Sequence, residues 1–489
     1  MSIIKIVIPE FHIYEATTVQ PEVDSYFPSK LNTSQEKYFA QQADDFETTT
    51  FYHFPLLLLS NRALWKYANN YLLYKLESED LPHTSTLSSI ADSIKYFGNY
   101  CLETEIDYLV CTRKSNSPLR RYRRNLSDRI TKGELAASTA KSHMSNLVNF
   151  YRHLLDVEHV KFEFPPWHDR EAKIVISDTG RGGYVKTVRT SDVSQAIKGR
   201  VSTQMKREYC TYEGRIIDGG ELRPLNIKEQ EILLTALKDL NHPEMTLIFI
   251  IALCTGARLQ TILTLRYDNF TYEPEEPITE VAVEPEEPIT EVAVYAGRYN
   301  KNGNGLVDSK DDKSITIYFP IELYKKVQLY LNSERVLKRR KKSKHQPENL
   351  DNQYIFLSQQ GHPFYMSKSD NNAKFYRQRP SGQAVTTFVC ERLKPKLSKL
   401  HFTGSFKFHD TRATFGMNIV DSELELMKGK ENIGEAIDGL FRFVKVRMCH
   451  NQLSTTQQYL DFNQNNKVVK EAKLGWEKHL KKMLEIIDD

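Results

Sequence analysis

The sequence has no apolar run long enough to cross a bilayer. Its strongest apolar stretch, Met245 to Cys254, falls well short of the ~20 residues that a spanning helix needs, so it predicts a buried helix. The opening segment, Met1 to Glu10, carries too short an apolar run, and no small-residue cleavage pattern, for a secretion signal. A cytoplasmic protein is expected. The six cysteines, at 101, 111, 210, 254, 390 and 449, form no close pair, which matches neither a zinc site nor a compact disulfide framework; free thiols are expected. The glycine-rich piece Gly180-Arg181-Gly182-Gly183 lacks a Gly-Lys-Ser/Thr ending, so a nucleotide-phosphate loop is not indicated. A large excess of one charge is missing too, since 67 Lys and Arg against 63 Asp and Glu leave only +4. That sum understates the basic character, because Glu273 to Glu291 holds eight glutamates and no Lys or Arg.

What is present is a long chain of globular composition. At 489 residues, 40% hydrophobic and 27% charged, it predicts two to four domains at the usual ~100–200 residues each. An apolar segment, Phe54-Pro55-Leu56-Leu57-Leu58-Leu59, precedes a helix expected from Ser60 to Leu76 with Leu64, Tyr67, Ala68, Tyr71 and Leu72 on one face. Ser85 reads as the N-cap of a second helix, where Leu87, Ile90, Ala91, Ile94, Phe97 and Cys101 recur at helical spacing. A third begins at Ser138, with Ala140, Met144, Leu147, Val148 and Tyr151 inward and Lys141, Ser145 and Arg152 outward. Upstream of it lie Arg120, Arg121, Arg123 and Arg124. Alone, such a run is a solvated loop; beside a helical module it points to phosphate contact.

From Pro165 to Gly220 the sequence is irregular and rich in glycine, which predicts a linker with some structure of its own. A new domain opens at Leu225, where Asn226 and Glu229 form an Asn-x-x-Glu capping box ahead of Ile232, Leu233, Ala236 and Leu237. An eleven-residue unit, Glu273 to Val283, is repeated at once as Glu284 to Val294. Two copies are too few for a solenoid. Each ends in a strand-like alternation, only one copy can fill a given strand, and a tolerated duplication in a surface loop is the expected account. The basic run from Lys338 to Lys344 reads as a solvated loop, and the tail carries an apolar stripe of Val469, Ala472, Trp476, Leu480, Met483 and Ile487.

Three segments of the second half carry chemistry. Arg258 follows Thr255-Gly256-Ala257, where Gly256 permits a left-handed turn after the buried helix. His409 and Arg412 stand three apart in His409-Asp410-Thr411-Arg412, an offset that puts both on one helical face, before Ala413-Thr414-Phe415. His450 and Tyr459 are separated by nine positions, with Thr455-Thr456 just before the tyrosine. In this order the three segments resemble the active-site boxes of the tyrosine recombinases, the phage-type integrase family. The chain departs from the common pattern at Thr261, where an acid is usual, and at Cys449, where glycine is usual.

The resemblance, which covers roughly residues 83–489, implies a mainly α fold with a small β-sheet. It implies a helical core-binding (SAM-like) DNA-binding domain over 83–167, a linker over 168–222 and a mixed α/β catalytic domain over 223–489, with residues 1–82 of unassigned role. It also implies a site-specific recombinase that cleaves and rejoins DNA through a 3′-phosphotyrosine, without metal or other cofactor. Tyr459 is then the nucleophile, and Arg258 and Arg412 neutralise the phosphate, a task suited to a planar, always charged guanidinium. His409 accepts the tyrosine proton and His450 donates to the phosphate. A lysine in a β-hairpin protonates the leaving oxygen; Lys310 is the first choice and Lys313 the second, with Ile315, Ile317 and Phe319 as the return strand. Arg120, Arg121, Arg123, Arg124, Lys141 and Arg152 are the expected DNA contacts. Further implications are a homotetramer on two DNA sites, joined through the C-terminal helix, an accessory DNA-bending or directionality factor, and a role in moving a mobile element. The rival readings are a type IB topoisomerase and a DNA-binding protein with a decayed site.

Overall fold

The computed structural model of the chain describes residues 2–17, 28–29, 38–42, 50–78, 84–176, 184–193, 215–272, 291–344, 347, 349–368, 370, 372, 375–376, 378–426, 433–450 and 454–463. The chain divides into two units, Met1–Thr203 with Asn371–Arg379, and Gln204–Asp370 with Pro380–Asp489. Helices dominate both, with small antiparallel sheets.

In the first unit the apolar run after Phe54 ends a strand, Thr50–Leu58, that pairs antiparallel with Ile4–His12 from Ile4↔Leu58 to His12↔Thr50. The helix expected from Ser60 starts only at Lys66 and runs to Leu76. Between them Arg62 adopts positive φ and donates its N–H to Leu59, Leu59 donates to Ala63, and Trp65 donates to Leu57. Those bonds commit the backbone to a turn that prolongs the ribbon, so it cannot also form a helical ladder. Leu64, expected on the inner face, is therefore 60% exposed, while Ala68, Tyr71 and Leu72 are buried.

The next helices keep their stripes. Thr84–Glu103 buries Leu87, Ile90, Ala91, Ile94, Phe97 and Cys101, and Ala137–Asp156 buries Ala140, Met144, Leu147, Val148 and Tyr151. The first of these starts at Thr84, which places Ser85 inside the helix instead of at its cap. The arginine run lies on a helix, Pro118–Thr131, not in a loop. Proline at its first position is already set to helical φ, and Ser117 accepts from the Arg120 N–H at 3.4 Å. Ile3, Phe54 and Trp65 share one apolar cluster with Phe97, Tyr122 and Phe150, and Val193 joins it after the hairpin Asp169–Ile176 and Tyr184–Ser191. The buried apolar residues described within 1–82 thus share the helices' core, and part of the expected linker, at Val193, belongs to the same cluster.

The second unit is built around Pro243–Thr255, the helix expected to be buried; Leu247, Ile248, Phe249, Ile251 and Ala252 are inaccessible or nearly so. It follows Ile227–Asp239, which begins with the predicted capping box: Asn226 accepts from the Glu229 N–H at 3.0 Å, and Glu229 from the Asn226 N–H at 3.0 Å. Strands Glu291–Ala296 and Ile315–Pro320 pair antiparallel, burying Val294, Ala296, Ile317 and Phe319. Of the tandem duplication, residues 273–290 lie outside the described residues, and the end of the second copy, Glu291 to Val294, opens the first of these strands.

The basic run forms the helix Glu334–Lys342 instead of a loop. Arg339 is 5% exposed, donates to the Leu357 carbonyl at 2.6 Å and lies 2.9 Å from Glu244. Half-burial of one face drew part of a charged run into the interior, where a carboxylate was waiting. Five of the cysteines, 101, 111, 254, 390 and 449, are free, and Cys210 lies outside the described residues. No helix among the described residues is long and apolar enough to cross a membrane.

Candidate active site

Five elements of the second unit bring the chemistry-bearing side chains together. Gly256 ends the buried helix with φ +64, and any Cβ there would fall 2.3 Å from Phe415, so the turn that delivers Arg258 needs glycine on both counts. Helix Asp410–Leu426 carries Arg412 in its first turn. Asp410 accepts from the backbone N–H groups of Arg223 (2.9 Å) and Lys407 (2.7 Å), which fixes where that helix starts. The helix Ile433–Arg447 leads to Cys449 and His450, and a helix over residues 454–463 carries Tyr459. A short hairpin, Ile216–Ile217 with Glu221–Leu222, supplies Asp218 at its turn.

These groups meet at one carboxylate. Asp218 Oδ2 accepts from Arg412 Nε at 2.8 Å, from His450 Nε2 at 3.1 Å and from the Tyr459 hydroxyl at 3.3 Å, and Oδ1 lies 3.5 Å from Arg258 Nη2. Burial alone would raise the Asp218 carboxyl, but the hydrogen bond from His450 and the charge of Arg412 hold it far below the usual carboxylate range. It is an anion, so the His450 nitrogen facing it carries a proton. Burial also lowers the His450 pKa, which favours the neutral ring, and its Nδ1 then accepts from Thr456 Oγ1 at 3.0 Å. Arg412 is held from behind by the carbonyls of Gly256 (2.6 Å) and Met448 (2.5 Å).

Tyr459 is fully buried, and its pKa is raised by burial and then by the Asp218 charge, so the phenol keeps its proton. Its ring lies on Gly416, where a Cβ would come within 2.5 Å of Tyr459 Cε1. His409 occupies the turn just before the helix, not a helical face, and lies beside Gly219 of the hairpin; burial and the neighbouring Arg412 lower its pKa. The Tyr459 hydroxyl donates to Asp218 and not to His409. The site opens to a cleft lined by Asp218, Arg258, Lys310, Lys313, Cys449 and His450. Lys310 and Lys313 flank Asp311 and Asp312, both at positive φ; Lys313 is 3.8 Å from Asp311, and Lys310 has no ion pair among the described residues. Cys449 takes the left-handed conformation, φ +50, where glycine carries no steric cost.

The six residues singled out in the sequence as catalytic, Arg258, Lys310, His409, Arg412, His450 and Tyr459, lie in one unit: Arg258, Lys310 and His450 line the cleft, Arg412 and Tyr459 reach Asp218 from behind it, and His409 lies beside the hairpin turn. Asp218 was missed, because it falls within the stretch read as linker. Ile216 to Leu222, with its Asp-Gly-Gly centre, is a legible hairpin signal, but nothing local says where the turn will point. In the first unit, Arg120 is tied to Asp192 at 2.5 Å and Arg152 to Asp169 at 3.0 Å, whereas Arg121, Arg124 and Lys141 are exposed. Arg120, Arg123 and Arg124 line a hollow with Lys114 and Ser115. The apolar stripe of the tail lies outside the described residues.

No protein-family model matches the sequence, and no curated protein matches it. Among solved structures, the chain is similar to the XerH site-specific recombinase bound to difH substrate, at 12% identity over 80% of this chain and 81% of that one, with a TM-score of 0.40. It is similar to the Tn1549 transposon integrase in complex with transposon right end DNA, at 16% identity over 80% and 94%, TM-score 0.41. A lambda integrase dimer bound to a core site matches at 12% identity over 81% and 94%, TM-score 0.42. Likenesses this low carry no argument about activity, which has to come from the side chains.

Proposed function

We propose that the chain is a DNA strand-breaking and rejoining enzyme of the tyrosine-recombinase kind, acting on double-stranded DNA. The observation that carries the reading is the convergence on one anion-holding point of two guanidiniums, an imidazole and a phenol. Each belongs to a sequence segment resembling the matching box of that family. Such a point suits a phosphodiester: Arg258 and Arg412 would balance the charge that builds on the phosphorus oxygens, and His450 Nε2–H would donate to one of them.

In this scheme Tyr459 Oη attacks the phosphorus and the bond to the 5′ oxygen breaks. The phenolic proton passes to His409, once DNA has drawn the tyrosine toward it, and Lys310 protonates the departing 5′ oxygen. Attack by a 5′-hydroxyl on the phosphotyrosine reverses the sequence and restores the phosphodiester. Integration, excision or transposition of a mobile element is the setting proposed, with a tetramer on two DNA sites and DNA contacts from Arg121, Arg123, Arg124 and Lys141. Nicked duplex carrying the end of the element that encodes the protein is the test substrate. A covalent protein–DNA adduct that disappears in Tyr459→Phe is expected. No adduct with any such end would contradict the reading, and relaxation of arbitrary supercoiled plasmid without strand exchange would point to a topoisomerase.

A further inference from the structure

We propose that Asp218 occupies the seat of the scissile phosphate, so that the folded chain holds its catalytic side chains on an internal anion that DNA must displace before cleavage. The inference rests on the reading of the site as phosphodiester-cleaving and adds its regulation. All four donors assigned to the substrate phosphate and the attack on it contact this one carboxylate: Arg412, His450 and Tyr459 on Oδ2, and Arg258 on Oδ1. Asp218 carries the charge of a phosphodiester and offers oxygens to the same hydrogens. Two like charges cannot share those donors, so one excludes the other.

A merely orienting role is not needed. Arg412 is already fixed by the Gly256 and Met448 carbonyls, His450 by Thr456, and the Tyr459 ring by its seat on Gly416. Nor does the carboxylate suit the role of a base, since its neighbours hold it far below the range in which it would keep a proton taken from a phenol. The hairpin that delivers it is anchored at its strands. Ile216 and Leu222 are buried in the cluster that includes Met417, Leu440 and Tyr459, and Arg215 lies 3.0 Å from Glu221. The Ile217 N–H donates to Gln458 Oε1 at 2.8 Å, one residue before the nucleophile. Entry of a phosphate therefore requires the turn to swing out, and that movement loosens the Ile217–Gln458 contact beside Tyr459.

The test uses the full chain with two probes, inorganic phosphate and nicked duplex carrying the element end. Asp218→Asn keeps the shape and removes the charge. It should bind phosphate at least tenfold more tightly than the wild type and form the Tyr459 adduct faster, and adding Arg412→Gln should abolish the gain in phosphate affinity. Equal or weaker phosphate binding by a folded Asp218→Asn would overturn the proposal. If that variant does not fold, the wild type still decides: hydrogen exchange over residues 216–222 should rise when phosphate or DNA binds, and unchanged exchange in the bound protein would contradict displacement. A gain in phosphate affinity with no DNA adduct in any variant would sink the DNA-cleaving reading and leave the anion exchange standing. Adduct formation at one rate, with one phosphate affinity, in wild type and variant would do the reverse.

Discussion

At the scale of single residues, the site is built with two positions where a side chain, or its absence, is costly. Gly416 is a glycine inside a helix because the Tyr459 ring needs the space its Cβ would fill. Cys449 is the opposite case, a side chain held at φ +50 just before His450. Left-handed backbone costs a residue with a Cβ about 1 kcal/mol relative to glycine. Cys449→Gly should therefore raise the unfolding free energy by up to about 1 kcal/mol, read from denaturant or thermal melts, without lowering Tyr459 adduct formation. Loss of stability would mean that the Sγ contacts to the Thr316 and Val446 carbonyls outweigh the backbone strain. Single residues are also where the sequence was most legible. Arg258, Arg412, His450 and Tyr459 were singled out because each sits in a local pattern tied to chemistry, whereas the Asp-Gly-Gly pattern at Asp218 marks only a turn: where that turn points depends on a hairpin folding back onto segments some 190 to 240 positions later.

At the scale of elements, the basic helix Glu334–Lys342 shows why charge runs are poorly read in isolation. Glu244 is fully buried at the start of the central helix, with Arg335 at 2.6 Å, Arg339 at 2.9 Å and His242 at 3.1 Å. Burial would raise its carboxyl, but hydrogen bonds from His242 and Arg335 and the charge of Arg339 bring it down to about 2. Removing one member of a buried ion pair strands the other, so Glu244→Gln should cost about 3 kcal/mol. Because the folded pKa lies below the ordinary 4.5, this stabilisation is complete above that value and is lost as the pH falls toward 2. Wild type and variant should differ most at neutral pH and converge under acid; a gap that persists at low pH would assign the loss to packing. The helices with clean apolar stripes were predictable to within a few residues. The helix at Lys66 was shortened by backbone bonds to a strand, which periodicity cannot foresee.

At the scale of the whole molecule, the chain divides into two units. The first joins the terminal ribbon to the helices, and the composition gave no sign that residues 1–82 would share it, because the pairing of Ile4–His12 with Thr50–Leu58 is long-range. The second contains every candidate catalytic residue. DNA contact by the first unit would show in its salt dependence. Arg121 and Arg124 are exposed, so replacing both by alanine should flatten the slope of log affinity against log salt by about 2. Arg120→Ala should instead lower stability, since it breaks a largely buried pair with Asp192; an unchanged slope in the double variant would place the DNA on another surface.

The proposed reaction joins Tyr459 covalently to DNA. The most direct test is to trap the protein on nicked duplex carrying its element end, digest both polymers, and locate the remaining nucleotide by mass spectrometry. A nucleotide phosphate is expected on the peptide that contains Tyr459 and on no other; a nucleotide on a different residue, or none at all, would contradict a tyrosine nucleophile.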